Sequence, residues 1–250
     1  MTTDRAMPLF DHIKEMRKRL FTAVITWIVG TILASTVVEP LVSWLKTPLG
    51  RDALLIVTNP TEAPVMYFKV ALAAGFALAL PVILYQIYAF IAPGLYPSER
   101  SILLFGIPAV LVLFLLGALF TMEVLIPTSM PVLMGFFVNV VTPTYTLQNY
   151  ISFVTTLVVW MGLLFQTPLV LYVISRLGLM TAQQLAKARR IVWFLAVLLA
   201  AVVTPTTDPV TLLLVTGPFI LLYEIGLLLA RVGTRQRRGQ VSEDAEVETA

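Results

Sequence analysis

Apolar residues in this chain fall into six runs, at about residues 21–38, 65–88, 101–126, 149–175, 191–203 and 210–230, separated by short stretches of charge, proline and glycine. Five of the runs have the length a helix needs to cross a hydrocarbon core of ~30 Å. The fifth, Ile191 to Val203, has 13 residues, or roughly 20 Å of helix at ~1.5 Å per residue. The pattern predicts an all-α polytopic membrane protein with six transmembrane helices. Ahead of the first run, Leu9, Ile13, Met16 and Leu20 recur at helical spacing among Asp11, Lys14, Glu15, Arg17, Lys18 and Arg19. That spacing predicts an amphipathic helix lying at the membrane surface. The expected organisation is therefore an N-terminal amphipathic segment (1–20), a transmembrane domain (21–230) and a basic, then acidic, disordered tail (231–250).

Turn chemistry punctuates the runs. Glu39-Pro40 is expected to end the first span, and 41–58 reads as an external loop with a short interfacial helix. Asn59-Pro60-Thr61-Glu62 reads as a helix start with Asn59 as cap. Residues 127–148 read as a second external loop, and 176–190 as a polar connection with a capping box at Thr181-Ala182-Gln183-Gln184. Thr204 to Pro209 reads as a tight turn that Asp208 can cap. Pro81, Pro108 and Pro168 lie inside spans. Each removes a backbone donor and can bend its helix, so the bundle is expected to enclose a concave face. Gly75…Pro81-Val82-Ile83-Leu84-Tyr85 echoes Gly162…Pro168-Leu169-Val170-Leu171-Tyr172 at a spacing of 87 residues. Chance similarity between two apolar helices is the simpler account of that echo.

Charge placement sets the orientation. All but Lys46, Arg51 and Lys69 of the 17 Lys and Arg residues fall in the N-terminal segment, the 88–100 loop, the 176–190 connection or the tail. The positive-inside rule then puts both termini and the 88–100 loop in the cytoplasm. Lys69 near an outer helix end can snorkel. Glu123 and Glu224, near span ends, read as structural.

Composition narrows the chemistry. The chain is 58% hydrophobic and 12% charged, with mean hydropathy +0.90; soluble domains are about a quarter charged. The N-terminus reads as a retained first helix rather than a cleavable signal peptide. There is no cysteine and a single histidine, His12, which excludes disulfides, thiolate nucleophiles and sites needing two histidines. HExxH, nucleotide-loop and dinucleotide-turn motifs are absent. The expectation is no enzyme, no metal, no cofactor and no nucleic-acid partner.

Three polar features remain. Glu15 and Glu99 flank spans at the expected cytoplasmic rim, and two carboxylates there suit a ligand with two guanidinium groups. Two plainer readings compete: Glu15 can pair with Arg19 at i, i+4, and Glu99 can complement a helix dipole after Pro97. Gln166 is an amide near mid-membrane that must find a partner. The 88–100 loop around Glu99 is stiffened by Pro93, Gly94 and Pro97.

Several of these motifs, in this order, resemble a known family. Pro8-Leu9…His12…Glu15-Met16-Arg17-Lys18-Arg19-Leu20, Asn59-Pro60-Thr61-Glu62, Tyr85-Gln86…Phe90-Ile91-Ala92-Pro93-Gly94-Leu95-Tyr96…Glu99-Arg100, Phe165-Gln166-Thr167-Pro168, Thr204-Pro205…Asp208 and Tyr223-Glu224-Ile225-Gly226 are similar to those of TatC, the core receptor subunit family of the twin-arginine protein translocase. The resemblance runs from about Pro8 to Arg231. It implies a glove-like bundle and binding of the twin-arginine signal peptides of folded cargo. Glu15, Arg17, Arg19, Phe90, Pro93, Leu95, Tyr96 and Glu99 match the signal-peptide region. It further implies TatB-like and TatA-like single-span partners docking on the last two helices, near Thr204, Asp208 and Thr211, with self-association in a receptor complex. Transport would be driven by the proton-motive force, in a bacterial or archaeal cytoplasmic membrane. The chain departs twice from the family pattern. Gln166 stands where the family often has a titratable Glu. Thr211-Leu212 stands where it often has Ser-Gln, in a turn one residue longer. Two other classes are weighed against this reading: a secondary transporter, for which Gln166 alone is thin support, and an intramembrane hydrolase, for which His12 is misplaced.

Overall fold

The computed structural model describes residues 9–50, 54–91, 101–135, 144–204 and 208–248. The described chain is helical apart from its connections. The helices are α1 (Leu9–Ser35), α2 (Val38–Leu45), α3 (Glu62–Ile91), α4 (Ser101–Phe120), α5 (Ile126–Gly135), α6 (Leu147–Leu164), α7 (Thr167–Arg176), α8 (Ala182–Lys187), α9 (Arg189–Val203) and α10 (Pro209–Glu248). Five stretches are long and apolar enough to cross a membrane: Ile13–Ser35, Glu62–Phe90, Pro108–Leu133, Leu147–Arg176 and Pro209–Arg235. The 15 residues of α9 make about 22 Å at ~1.5 Å per residue, short of the hydrocarbon thickness. Large apolar side chains point outward on these helices, among them Ile28, Ile32, Phe194, Leu198 and Val202. In a bilayer they meet lipid, so their exposure carries no hydrophobic penalty.

Close packing between helices comes from small residues. Where α1 crosses α3, a Cβ added to Gly30 would lie 2.7 Å from the Gly75 carbonyl oxygen; only glycine lets the two backbones approach this closely. The indole Nε1 of Trp27 donates to the Leu72 carbonyl (3.0 Å), and the Tyr67 hydroxyl to the Ser35 carbonyl (2.6 Å). The core centres on Leu125, Ile126, Ile151, Val154, Leu157 and Met161, all fully buried. The α1/α3-capping helix α2 is tied to it by the Tyr150 hydroxyl, which donates to the Leu45 carbonyl (3.1 Å). The two connections at this end of the bundle pair briefly, with Ile56 N–H on the Tyr145 carbonyl and Leu147 N–H on the Ile56 carbonyl, both 2.9 Å.

Several expected boundaries move. The amphipathic segment and first span are one continuous helix, α1. Glu39-Pro40 does not end a helix; both sit in the first turn of α2, where a missing N–H is tolerated. The stretch expected to open the second external loop is instead helical to Gly135, reached through a π-helical segment at Thr121–Leu125. Pro127 follows directly and offers no N–H to a regular i to i−4 ladder, which accounts for the wider turn before it. Glu62 folds back onto the Thr58 backbone N–H (3.3 Å) and hydroxyl, so the turn before α3 closes one residue earlier than an Asn59 cap would place it. Lys69 does not snorkel outward: its ammonium turns onto the Ser152 and Thr156 hydroxyls of α6. The expected disordered tail is helical to Glu248. Its Arg, Gln, Glu and Ala content favours helix, and α10 extends into it without a proline or a cap to stop it.

Candidate functional site

At the end of the bundle where α1 begins and α3 ends, three polar side chains meet. Glu15 and Arg19 lie one helical turn apart on α1, and the pair expected at i, i+4 is formed. Arg19 Nη2 and Nε donate to Glu15 Oε1 at 2.5 and 2.9 Å. Arg19 Nη1 also reaches Gln86 Oε1 on α3, at 3.4 Å. Both members of the ion pair are about three-quarters buried. The second carboxylate oxygen, Glu15 Oε2, is buried and has no hydrogen-bond partner among the described residues. The result is a carboxylate fixed in direction, half committed and half available. The free oxygen can accept one charge-assisted hydrogen bond from a cationic ligand such as a guanidinium.

Arg17 on the same turn is exposed, and Phe90, one turn past Gln86, is half-buried. The α3 helix thus delivers Gln86 and Phe90 to the rim that α1 lines with Glu15, Arg17 and Arg19. Pro93, Leu95, Tyr96 and Glu99 lie outside the described residues. The segment that holds them leaves α3 five residues past Gln86 and rejoins α4 at Ser101. Gln86 was not expected as a site residue. The available signal was an amide near the end of an apolar helix, on the same side as the charged turn.

Gln166 is remote from this rim. It sits 3% exposed in the break between α6 and α7, where its Nε2 donates to the Val110 carbonyl of α4 (2.9 Å) and the Gly162 carbonyl (3.4 Å). The mid-membrane amide therefore has the cross-bundle partner its position demanded, and the fourth span is two helices rather than one. Thr204 and Asp208 stand on either side of the α9–α10 connection, whose residues 205–207 lie outside the described ones, and Thr211 is in the first turn of α10. Asp208 caps α10 by accepting from Thr211 N–H (2.7 Å), and the Thr204 hydroxyl returns to the Ala200 carbonyl (2.8 Å). The Thr204 and Thr211 side chains are buried. Among the described residues no group of three or more His, Cys, Asp or Glu could hold a metal.

A helical bundle with apolar outer faces and a polar rim at one end is the architecture of a multi-pass membrane protein. Comparison with known proteins makes this specific. Residues 11–218 match the family of the Sec-independent protein translocase protein (TatC). The TatC protein of Deinococcus radiodurans is 38% identical over 235 residues, covering 90% of this chain and 86% of the relative. That of Aquifex aeolicus is 36% identical, covering 93% and 98%. A crystal structure of the twin-arginine translocase receptor TatC superposes with a TM-score of 0.78 at 36% identity, over 89% of this chain and 99% of that one. The chain belongs to the TatC family. It is a receptor subunit of Tat protein export, a transport protein and not an enzyme.

Proposed function

We propose that this chain binds twin-arginine signal peptides at the rim formed by Glu15, Arg17, Arg19, Gln86 and Phe90, together with Pro93, Leu95, Tyr96 and Glu99 of the adjoining loop. The observation that carries the reading is the unpartnered, buried Oε2 of Glu15, held in place by Arg19. One signal-peptide arginine would take this oxygen, and Glu99 would take the other. Lysine would serve worse, because a guanidinium can bond Glu15 Oε2 through one N–H while its other N–H groups reach further acceptors, and can fork onto a carboxylate with both oxygens open, whereas an ammonium is a point charge. On this reading both termini and the rim face the cytoplasm, α9 is the fifth of six spans, and the bundle presents a concave face. The protein works in a bacterial or archaeal cytoplasmic membrane with transport driven by the proton-motive force. TatB-like and TatA-like helices would lie along the exposed apolar faces of α9 and α10, where Phe194, Val202, Leu213 and Leu221 point outward, near the turn held by Thr204, Asp208 and Thr211. Short α9 suits local thinning of the bilayer. Copies of the chain would associate in the receptor complex.

The test is binding of a labelled twin-arginine peptide to the protein in membranes. Glu15→Ala and Glu99→Ala are each expected to weaken binding at least tenfold, and a lysine-substituted peptide to bind wild type less tightly. Unchanged affinity in both variants would remove the rim from the mechanism.

A further inference from the structure

Arg176 closes α7 with its side chain nine-tenths buried, only 8% exposed. Its Nε and Nη1 are buried and have no hydrogen-bond partner among the described residues. A buried guanidinium without an anion is unfavourable, so this position asks what neutralises it. The α7 backbone here packs on α10 at Gly233, where an added Cβ would lie 3.3 Å from Arg176 N. Two residues to either side of Gly233, exposed Arg231 and Arg235 line a cleft of about 420 Å³ that α10 forms with Thr181 and Ala182 at the start of α8. Thr234 ties the two walls by accepting from Ala182 N–H (3.4 Å). The carboxylate available nearby on α10, Glu224, is already bound to Arg189 at 2.6 Å. Arg231 and Arg235 therefore line the cleft, the Arg176 backbone packs beside it, and none of the three guanidinium groups has a carboxylate partner among the described residues.

The surface beside them is apolar. Leu228, Arg231, Val232 and Arg235 follow one another at helical spacing of three, four and seven, so they share one face of α10. Leu228 and Val232 are 57% and 48% exposed on it. A cationic cleft bordered by an exposed apolar strip fits a molecule with an anionic head and an acyl chain. Guanidinium groups pair with phosphate in two-pronged fashion, and basic pockets at the membrane boundary select anionic headgroups. We infer that the α7–α8–α10 corner binds an anionic phospholipid, with Arg231 and Arg235 on its phosphate and Leu228 and Val232 along its chain. The inference stands on this corner alone and does not depend on the signal-peptide rim.

Native mass spectrometry of the full chain, purified in mild detergent and supplied with phosphatidylglycerol or phosphatidylcholine, tests it. Wild type is expected to retain phosphatidylglycerol adducts. Arg231→Gln/Arg235→Gln is expected to lose at least four-fifths of them, while Arg231→Lys/Arg235→Lys keeps most. Lys187→Gln/Arg190→Gln removes the same charge at the same end but outside the cleft, and should retain them. A thermal shift measures the same site independently: phosphatidylglycerol should raise the wild-type midpoint more than that of the Arg231→Gln/Arg235→Gln variant. Equal adduct loss in the two glutamine pairs, or equal retention, overturns the site. Displacement of the lipid by millimolar inorganic phosphate also overturns it, since a soluble anion would then be the occupant. So does equal retention of phosphatidylcholine.

Discussion

Gly30 meets Gly75 where α1 crosses α3, and Gly117 meets Gly162 where α4 crosses α6. The second pair lies 87 residues after the first, and so does Pro168 after Pro81. The echo read from Gly75 and Pro81 thus extends to the partner helices, and it is a packing unit rather than a coincidence of letters. The two crossings are not equally tight. A Cβ on Gly75 would run into the backbone of Thr31, whereas a Cβ on Gly162 would meet the ring of Phe114. A ring can rotate away and a backbone cannot. A Cβ on Gly117 would also meet backbone, at Met161 and Gly162 (2.7–3.0 Å), as one on Gly30 meets Gly75, so the crossings differ at the Gly75/Gly162 position alone; there the first is the more rigid, and it is the one whose helices meet at the Glu15 rim.

The prolines sharpen the contrast. Pro81 sits inside a continuous α3, yet Pro168 follows a break. The difference is at Gln166, whose counterpart 87 residues earlier is buried Ala79. At the break, Gln166 N–H bonds the Leu163 carbonyl (3.0 Å) and so leaves the Gly162 carbonyl it would serve in a regular helix. The Gln166 side chain then supplies a donor to that same carbonyl. Alanine has no donor to offer, so α3 keeps its ladder. A proline alone leaves the helix continuous here; a proline with a nearby amide divides it. The consequence is positional. Unbroken α3 carries Gln86 and Phe90 straight to the rim, while α7 is redirected to pack on α10.

The largest effect should come from closing the rigid crossing. Gly75→Ala is expected to destabilise by about 3 kcal/mol, the upper end for overpacking, and Gly162→Ala by about 1 kcal/mol because Phe114 can yield. Thermal unfolding in detergent measures both. Equal shifts would mean the two crossings are the same after all. Next in size is Gln166→Leu, which leaves the Val110 and Gly162 carbonyls without their side-chain donor and should destabilise by about 2 kcal/mol. Ala79→Leu, which touches no such bond, provides the overpacking control. If Gln166→Leu is no worse than the control, the amide does not hold the break.

Periodicity made the helices readable in advance, because lipid-facing runs are long and uniform. What it could not show were the joints. The π segment before Pro127, the break at Gln166 and the helical 231–248 stretch all depend on which backbone groups find partners, and apolar letters do not encode that. The rim was half legible. Glu15 and Arg19 stand out as charges at helical spacing, so their pairing was open from the start. Gln86 lies 67 residues from Arg19 and was invisible until the Gly30–Gly75 crossing set the two helices side by side. Lys69 misled for the same reason: its hydroxyl partners on α6 are more than 80 residues away.

The smallest effect on stability, and the most informative for function, belongs to the link between rim and crossing. Arg19→Ala removes an ion pair whose members are each about a quarter exposed; pairs of that kind contribute about 0.3–0.5 kcal/mol on a helix. Gln86→Ala should cost less, since it loses only one long hydrogen bond to Arg19. If α3 positions Glu15 through this contact, each variant weakens twin-arginine peptide binding severalfold while the unfolding midpoint barely moves. The relevant control is Gly162→Ala, which perturbs the other crossing by more and should leave peptide binding unchanged. A Gln86→Ala protein that binds as wild type does would show that Glu15 is oriented within α1 alone. The rigidity of the Gly30–Gly75 crossing would then serve packing and not recognition.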